Sequence, residues 1–484
     1  MSKLLLLRSA SVRASVGLLA ALLSALSPGV SAAQEPAPAA GAYDGYLAVR
    51  VRADGAPEVL DALRPDKLFV PASVLKVVTV AAALEHLGPA YRWVTRITTT
   101  GDGSGPVLDG DLVIDPGADP TWHAGRGNGD AARPLTELAR QVRASGITRV
   151  RGDLVVDTTR FPGRMHPTDR GFADLPYRFG TPPAALALDD ATIVVRVAAG
   201  PALGTPARVA APDGVEVINL TTTVGPDRRG QGTLDFVPVW GTDTLLLRGE
   251  YPITEPAFVV AASDPAPVRR TARRLRAALV EAGVAVDGEA RLATPADAGL
   301  ARTVVAAFSS PPLEEVLDRM LTESHNWTAD MLTLTLGREV AGTGRFDDGV
   351  DVVADFVERV TGTSDARGAW LEDGSGLSPS NLVTPRTVVE VLAYAVGQPW
   401  GQTLVAALAR PGQGTLASWP TLPPLAAKTG TLRHTVALAG VVDSESGTPI
   451  LFCYFVNHQP ERAADARRAI AAAVRRWQAG RAVR

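Results

Sequence analysis

The stretch Pro71–Gly88, with the sequence PASVLKVVTVAAALEHLG, decides the fold of this chain. Its run of Ala, Val and Leu is typical of a buried helix, yet Lys76 lies near its start, three residues after Ser73. The chain has only four lysines: Lys3, Lys67, Lys76 and Lys428. One of these four therefore lies in an apolar helix, one turn from a serine.

Two interpretations of this pair remain open from its spacing alone. Residues i and i+3 of a helix share a face, and Pro71 favours a helix start here. A lysine in apolar surroundings binds its proton less tightly, so Lys76 could be the base that activates Ser73 as a nucleophile. Alternatively, the stem of Lys76 packs along the helix and its ammonium reaches water. The pattern S-x-x-K is weak by itself and slightly favours the second interpretation.

A second pattern, SHN at Ser324–Asn326, lies between two helical segments. The Asn326 amide could bind a substrate carbonyl, and the Ser324 hydroxyl could pass a proton to a leaving group. The alternative is an ordinary loop that caps the next helix.

The third pattern, KTGT at Lys428–Thr431, precedes an apolar strand pattern. A lysine beside the hydroxyls of Thr429 and Thr431 suits the binding of a carboxylate, and Gly430 would let a substrate backbone approach. A turn with a surface lysine is equally consistent with this segment alone. All three patterns in one chain, in this order, favour a serine active site.

The N-terminus and the composition limit the class of protein. Lys3, Arg8 and Arg13 precede an apolar stretch of 13 residues, followed by small residues. This pattern predicts a signal peptide, 1–33, because a membrane span needs about 20 residues. We expect an exported protein with no stable membrane span after cleavage, in the periplasm or outside the cell. The net charge of −3 and the lack of a long basic run argue against a nucleic-acid partner.

The pattern along the chain predicts an α/β (α+β) protein with a β-rich middle. Tyr43–Val51 alternates like a strand, Leu186–Tyr251 has almost no helical periodicity, and helical patterns dominate after Val305. A basic amphipathic helix is predicted at 268–283, and its stripe of arginines is expected to be a solvated face rather than a binding site. We predict a discontinuous catalytic domain with a long insertion, divided as follows: catalytic domain, 34–97 and 303–484; inserted domain II, 98–185 and 251–302; β-rich domain III, 186–250.

The single cysteine and the six histidines suggest no further chemistry. Cys453 lies in the apolar run ILFCYFVN, which predicts a buried thiol and excludes an intramolecular disulfide. The histidines have no metal-ligand spacing such as H-E-x-x-H. This spacing is consistent with a protein that uses no metal and no cofactor, with His325 and His434 at most lining a cleft.

The three patterns together resemble those of the penicillin-recognising serine transpeptidases and β-lactamases. In this chain 248 positions separate Lys76 from Ser324, a far longer gap than in class A β-lactamases. Such an insertion resembles peptidase family S13, the D-alanyl-D-alanine carboxypeptidases also known as class C low-molecular-mass penicillin-binding proteins. The segments FVPASVLK, GDLVIDPGADPTW and LEDGSGLSPSNLVTP are similar to that family as well.

The resemblance implies a function and roles for the matching residues. The substrate would be a peptidoglycan peptide ending in D-Ala-D-Ala, and β-lactams would acylate the same serine. Ser73 would be the nucleophile, Lys76 its base and Ser324 the proton relay, while Asn326 would hold the peptide. Lys428 would attract the terminal carboxylate, with Thr429, Gly430 and Thr431 completing the binding strand. The same chemistry would allow endopeptidase cleavage of cross-links.

The chain departs from the family pattern at three places. His325 replaces the usual Asp or Asn of the second motif, and Asp330 stands where the following helix usually has Glu. Pro379-Ser380 follows SGLS where the family commonly has Arg or Tyr, so the third residue of the recognised peptide stays open.

Two alternative functions remain. One is a serine β-lactamase or esterase of the same superfamily, which would need fast deacylation. The other is a non-catalytic wall-binding protein that has kept the fold. Retention of Lys76 and Lys428 argues against the latter. Two neighbouring buried cations are destabilising, so a protein that makes no use of them is not expected to keep both.

Overall fold

The computed structural model describes residues 42–52, 57–101, 105–123, 132–164, 166–226, 233–297, 300, 302–363, 368–445, 447–459 and 463–482. The predicted signal peptide lies outside these residues. The chain divides into two compact units. Unit 1 comprises Met1–Tyr91, Pro167–Asp169 and Pro312–Arg484, and unit 2 comprises Arg92–His166 and Arg170–Pro311.

The described part of the chain contains the following α-helices: α1 (Leu75–Leu87), α2 (Arg133–Ala144), α3 (Pro267–Glu281), α4 (Leu313–Thr322), α5 (Asn326–Glu339), α6 (Phe346–Thr361), α7 (Pro385–Val396), α8 (Gly401–Ala407) and α9 (Ala463–Gln478).

The strands of the described residues are β1 (Tyr43–Val51), β2 (Pro57–Leu63), β3 (Val94–Thr100), β4 (Val107–Leu108), β5 (Leu112–Asp115), β6 (Arg149–Val150), β7 (Leu154–Val156), β8 (Thr192–Ala198), β9 (Arg208–Ala210), β10 (Glu216–Val224), β11 (Asp235–Val239), β12 (Thr244–Pro252), β13 (Phe258–Ser263), β14 (Ala285–Val286), β15 (Ala290–Leu292), β16 (Arg302–Ser309), β17 (Ala369–Trp370), β18 (Leu382–Val383), β19 (Leu425–Leu432), β20 (Thr435–Asp443) and β21 (Pro449–Asn457).

Unit 1 is built on an antiparallel sheet with the strand order β19-β20-β21-β1-β2. Side chains alternate between its faces, so Phe452 and Tyr454 pack against Trp477 of α9. Helix α7 packs against β21 and β1. Cys453, which lies between Phe452 and Tyr454 in β21, is fully buried, as the sequence predicts.

Helix α1 lies within the helical part of unit 1, in contact with α5, α6 and α7. The ten residues from Leu75 to Leu84 are all buried. A helix that is apolar all round needs partners on every side, and these three helices supply them. The packing confirms the buried helix predicted from PASVLKVVTVAAALEHLG.

Unit 2 contains a five-stranded sheet, β15-β7-β5-β3-β16, and two three-stranded sheets, β10-β12-β11 and β13-β8-β9. One hydrophobic core joins the five-stranded sheet to α2 and α3, and another lies among β8, β11 and β12. Strand β13 pairs with β8, so the β-rich core includes residues after 250. The exact division of the insertion into domains II and III stays a prediction.

The arginines of α3 do not all face solvent, so this expectation was wrong in part. Arg270 donates to Asp264 at 2.5 Å and Arg273 to Asp243 at 2.7 Å, and Arg270 is largely buried. These ion pairs attach α3 to the β-rich part of unit 2. Among the described residues, no helix is both long and apolar enough to cross a membrane.

Candidate active site

The turn that carries Ser73 is held from several sides within unit 1. A 3₁₀ turn, Ala72–Val74, leads directly into α1, and Ala72 has a left-handed φ of 48°. Such a conformation is costly for a residue other than glycine and persists where the surroundings enforce it. The side chain of Asn457 supplies part of that restraint, because it accepts from Val70 N–H at 2.8 Å and donates to the Val70 carbonyl at 3.2 Å.

Two glycines allow other segments to approach this turn closely. A Cβ on Gly430 would lie 2.7 Å from the Pro71 carbonyl oxygen, and one on Gly376 would lie 1.9 Å from that of Ala72. Gly376 also has a φ of 76°, which other residues rarely adopt. Gly430 thus allows close packing against the turn that carries Ser73, whether or not a substrate backbone also approaches it.

Lys76 is fully buried, which rules out the interpretation in which its ammonium reaches water. Its Nζ lies 2.9 Å from Ser73 Oγ, 2.7 Å from Asn326 Oδ1 and 2.6 Å from the carbonyl oxygen of Ser375. The first and second sequence patterns therefore meet at one nitrogen atom.

The chemistry of these contacts suits a base. An amide oxygen and a backbone carbonyl can only accept hydrogen bonds. A neutral lysine has two N–H groups, which Asn326 and Ser375 can take, and its lone pair is then left for the Ser73 hydroxyl. A protonated lysine would donate to all three oxygens. The arrangement thus accommodates both forms that a proton-accepting lysine must adopt.

Lys428 is also fully buried, so it is not the surface lysine of a turn. Its Nζ donates to the carbonyl of Thr429 at 2.7 Å. Burial, and then the nearby charge of Lys76, lower the pKa of Lys428 well below its usual value. Strand β19 also contacts the 3₁₀ turn that carries Ser73, so the third sequence pattern lies at the same site as the first two.

The rest of the third pattern lies on β19, at the edge of the sheet. Thr429 is buried and its Oγ1 donates to Thr415 Oγ1 at 2.7 Å, whereas Thr431 is exposed. An edge strand can offer backbone groups to an extended peptide. Thr431 therefore lies where a substrate could reach it.

The second pattern serves as a helix cap as well as a site. Ser324 has a left-handed φ of 62°, and His325 is the N-cap of α5, accepting from Thr328 N–H. His325 Nδ1 lies 2.7 Å from Thr328 Oγ1, and its Nε2 lies 3.3 Å from an Arg319 nitrogen. Capping by His325 fixes the start of α5, from which Asn326 reaches Lys76.

The other departures from the family pattern lie in different surroundings. Asp330 is fully buried in α5, and Pro379 is exposed. His434 has its Nδ1 2.9 Å from the carbonyl oxygen of Gln459, so the ring is tied to the backbone beyond β21. The described residues form no group of three or more His, Cys, Asp or Glu side chains that could hold a metal ion.

Sequence reasoning missed Ser375, whose backbone carbonyl accepts from Lys76. A carbonyl is present in every residue, so residue type gives no direct indication of such a role. The indirect indication was the glycine-rich segment DGSG at Asp373–Gly376, in which small residues allow close approach.

The fold and the site together define a class of protein. A serine at the entrance of a buried helix, a buried lysine one turn later and an antiparallel sheet with a second lysine on its edge strand are features of the penicillin-recognising serine enzymes. The chain belongs to the D-Ala-D-Ala carboxypeptidase 3 (S13) family, whose sequence profile matches residues 39–477.

Individual relatives agree with this assignment. The D-alanyl-D-alanine carboxypeptidase of Actinomadura sp. (strain R39) is 34% identical over 402 residues, covering 78% of this chain and 72% of the relative. The crystal structure of penicillin binding protein 4 from Haemophilus influenzae matches with a TM-score of 0.77 and 23% identity, covering 88% of this chain and 94% of that one. A structure of the same protein complexed with a novel β-lactam matches with a TM-score of 0.73 and 22% identity, covering 89% and 95%. These structural matches establish a shared fold.

Proposed function

We propose that this protein is a serine D-alanyl-D-alanine carboxypeptidase that acts on peptidoglycan stem peptides through an acyl-enzyme on Ser73. The observation that carries the proposal is the 2.9 Å separation between Lys76 Nζ and Ser73 Oγ at a lysine with no exposed surface. A serine hydroxyl is a weak nucleophile, and a base at hydrogen-bond distance is what activates it.

The reaction proceeds in two halves. Ser73 Oγ bonds to the carbonyl carbon of the penultimate D-alanine while its proton passes to Lys76. The tetrahedral intermediate then collapses, the peptide bond breaks, and Ser324 relays the proton held by Lys76 to the departing amine, so that D-alanine leaves. A water molecule hydrolyses the resulting ester, which releases the shortened peptide and restores the Ser73 hydroxyl.

The remaining residues bind the substrate and stabilise charge. Asn326 holds Lys76 and the peptide, and Lys428 attracts the terminal carboxylate together with Thr429 and Thr431. The backbone N–H groups of Ser73 and Thr431 form the oxyanion hole, which typically contributes about 3 kcal/mol of barrier reduction.

Three further features belong to the proposal. Because the leaving amine alone differs, the same acyl-enzyme chemistry serves endopeptidase cleavage of D-alanyl cross-links. A β-lactam acylates Ser73 and remains attached. The N-terminal pattern supports export to a periplasmic or extracellular site associated with the cell wall.

A fluorescent penicillin tests acylation directly. Purified mature protein should form a covalent fluorescent band that Ser73→Ala lacks, while Ser145→Ala, at an exposed serine of unit 2, keeps it. The absence of a band with the unmodified protein would contradict the enzyme function, and rapid loss of the band with consumption of penicillin would identify a β-lactamase instead. Release of D-alanine from a pentapeptide, compared with cleavage of a cross-linked dimer, then separates the two peptidase activities.

A further inference from the structure

Asp373 is buried at the centre of the loop between β17 and β18, with 1% of its surface exposed. Its Oδ1 accepts from Gly376 N–H at 2.7 Å and from Asn381 Nδ2 at 2.9 Å. Its Oδ2 accepts from Ser378 N–H at 2.9 Å and from Ser375 Oγ at 3.1 Å. One carboxylate thus accepts from two backbone N–H groups and two side chains of the same loop.

The position of these contacts fixes the direction of one carbonyl group. The Ser375 carbonyl and the Gly376 N–H belong to the same peptide plane, and in a trans peptide they point in opposite directions. Because the N–H points at Asp373, the carbonyl points away from it, and it meets Lys76 Nζ at 2.6 Å. Asp373 and Lys76 therefore lie on opposite sides of a single peptide group.

We infer that Asp373 is a positioning residue: by holding the Ser375–Gly376 peptide, it aims the Ser375 carbonyl at Lys76 and thereby directs the lysine nitrogen to Ser73. The inference rests on the proposed function of Lys76 as a base. It assigns to Asp373 an effect on proton transfer that acts through the Ser375–Gly376 peptide.

Asp373→Asn tests the inference with little change of shape. An amide group places N–H donors where one carboxylate oxygen was, and each oxygen faces a backbone donor, Gly376 on one side and Ser378 on the other. In either orientation of the amide, one backbone N–H loses its acceptor, so the loop around the Ser375–Gly376 peptide should shift. A misplacement of about 1 Å can reduce a rate about 10²-fold. We expect the plateau rate of acylation by the fluorescent penicillin to fall by about that factor.

The pH profile of acylation separates positioning from general destabilisation. Its acid limb reports the protonation of the essential base in the free enzyme. Loss of a carbonyl acceptor disfavours a lysine ammonium more than an amine, because charged donors form the stronger hydrogen bonds, and Lys428 adds its repulsion. The acid limb of Asp373→Asn should therefore move to lower pH. Loss of the carboxylate charge near Lys76 shifts it in the same direction, so a variant that keeps this charge is needed to isolate the effect of the peptide.

Thr384→Ala is the matched control. Thr384 is a buried residue of unit 1 that caps α7 by accepting from Thr387 N–H at 3.0 Å, so its loss costs stability without removing a hydrogen bond described for Asp373. We expect a lower melting temperature with an unchanged acid limb. Asn381→Ala removes the amide that supports Asp373 and keeps the carboxylate charge. It should give a smaller shift in the same direction, whether or not Asp373→Asn folds.

The outcomes separate the two levels of the proposal. A folded Asp373→Asn protein, or a folded Asn381→Ala protein in its place, with the rate and acid limb of the unmodified enzyme would overturn the inference. An equal shift in Thr384→Ala would overturn it too. Failure of the unmodified protein to be acylated would instead refute the proposed function.

Discussion

Unit 1 buries two lysines, Lys76 and Lys428, and burial of a lysine ammonium costs free energy. Each has no exposed surface, and the charge of Lys76 acts on Lys428. Burying like charges near each other is destabilising unless one of them is neutral. The lowered pKa of Lys428 is the measurable consequence, and it connects the stability of the fold with the chemistry of the site.

Lys428→Met should raise stability at neutral pH while lowering the rate of acylation. The folded-state pKa of Lys428 lies below the ordinary value of 10.5, so the unfolded state binds more protons between the two values. Stability therefore rises with pH across this window in the unmodified protein. Removing the lysine should add roughly 1–4 kcal/mol at neutral pH, and the gain should disappear as the pH approaches about 10.5.

Thermal unfolding measured from pH 6 to pH 10.5 checks this prediction, with Lys67→Met as the control. Lys67 is exposed, so its replacement should leave both the melting curve and its pH dependence unchanged. A Lys428→Met protein that is less stable than the unmodified one at neutral pH would contradict the argument.

At the scale of elements, the 373–381 loop packs closely against the turn that carries Ser73. Gly376 and Gly88 have nearly the same φ, 76° and 77°, but a Cβ on Gly88 would meet nothing within 4 Å. Both substitutions to alanine carry the backbone cost of a positive φ, about 1 kcal/mol. Only Gly376→Ala also forces a methyl group against the Ala72 carbonyl.

We therefore expect Gly88→Ala to lower the melting temperature slightly and to leave acylation unchanged. Gly376→Ala should lower it further and reduce the acylation rate by at least about 10²-fold, since the turn that carries Ser73 must move. Measuring the acylation rates of the two variants with fluorescent penicillin tests this prediction. Equal effects of the two substitutions would show that backbone strain alone is responsible.

The sequence predicted the elements more readily than the contacts between them. Alternation predicted β1 at Tyr43–Val51, and the apolar run predicted α1, since periodicity reflects burial. The sequence could not predict that the Ser375 carbonyl contacts Lys76 or that Asn457 holds Val70. These residues are about 300 and 387 positions apart, and each contact uses a backbone atom. The arginines of α3 were misjudged for a related reason, since their partners Asp243 and Asp264 lie outside the helix.

At the scale of the whole molecule, unit 1 is assembled from distant parts of the chain. Strand β1 lies between β2 and β21, and Leu47 is paired with Cys453 across the centre of the sheet. The three sequence patterns indicated which residues belong together but gave no register for these strands. Pairing across some 400 positions is expected to make folding slow, because the entropy of closing the loop is lost before the stabilising contacts form.

The central position of Cys453 makes it a reporter of the whole of unit 1. It is the only cysteine of the chain, it is fully buried, and burial raises its pKa well above the usual value. A thiol reagent that needs the thiolate should therefore react only after unit 1 opens. We expect slow labelling in native buffer and fast labelling in denaturant.

Prior acylation by penicillin should slow native labelling in the unmodified protein and leave Ser73→Ala unaffected, because contacts of the bound acyl group stabilise the closed state. Native labelling as fast as in denaturant, followed with a chromogenic disulfide reagent, would show that this sheet does not protect its centre.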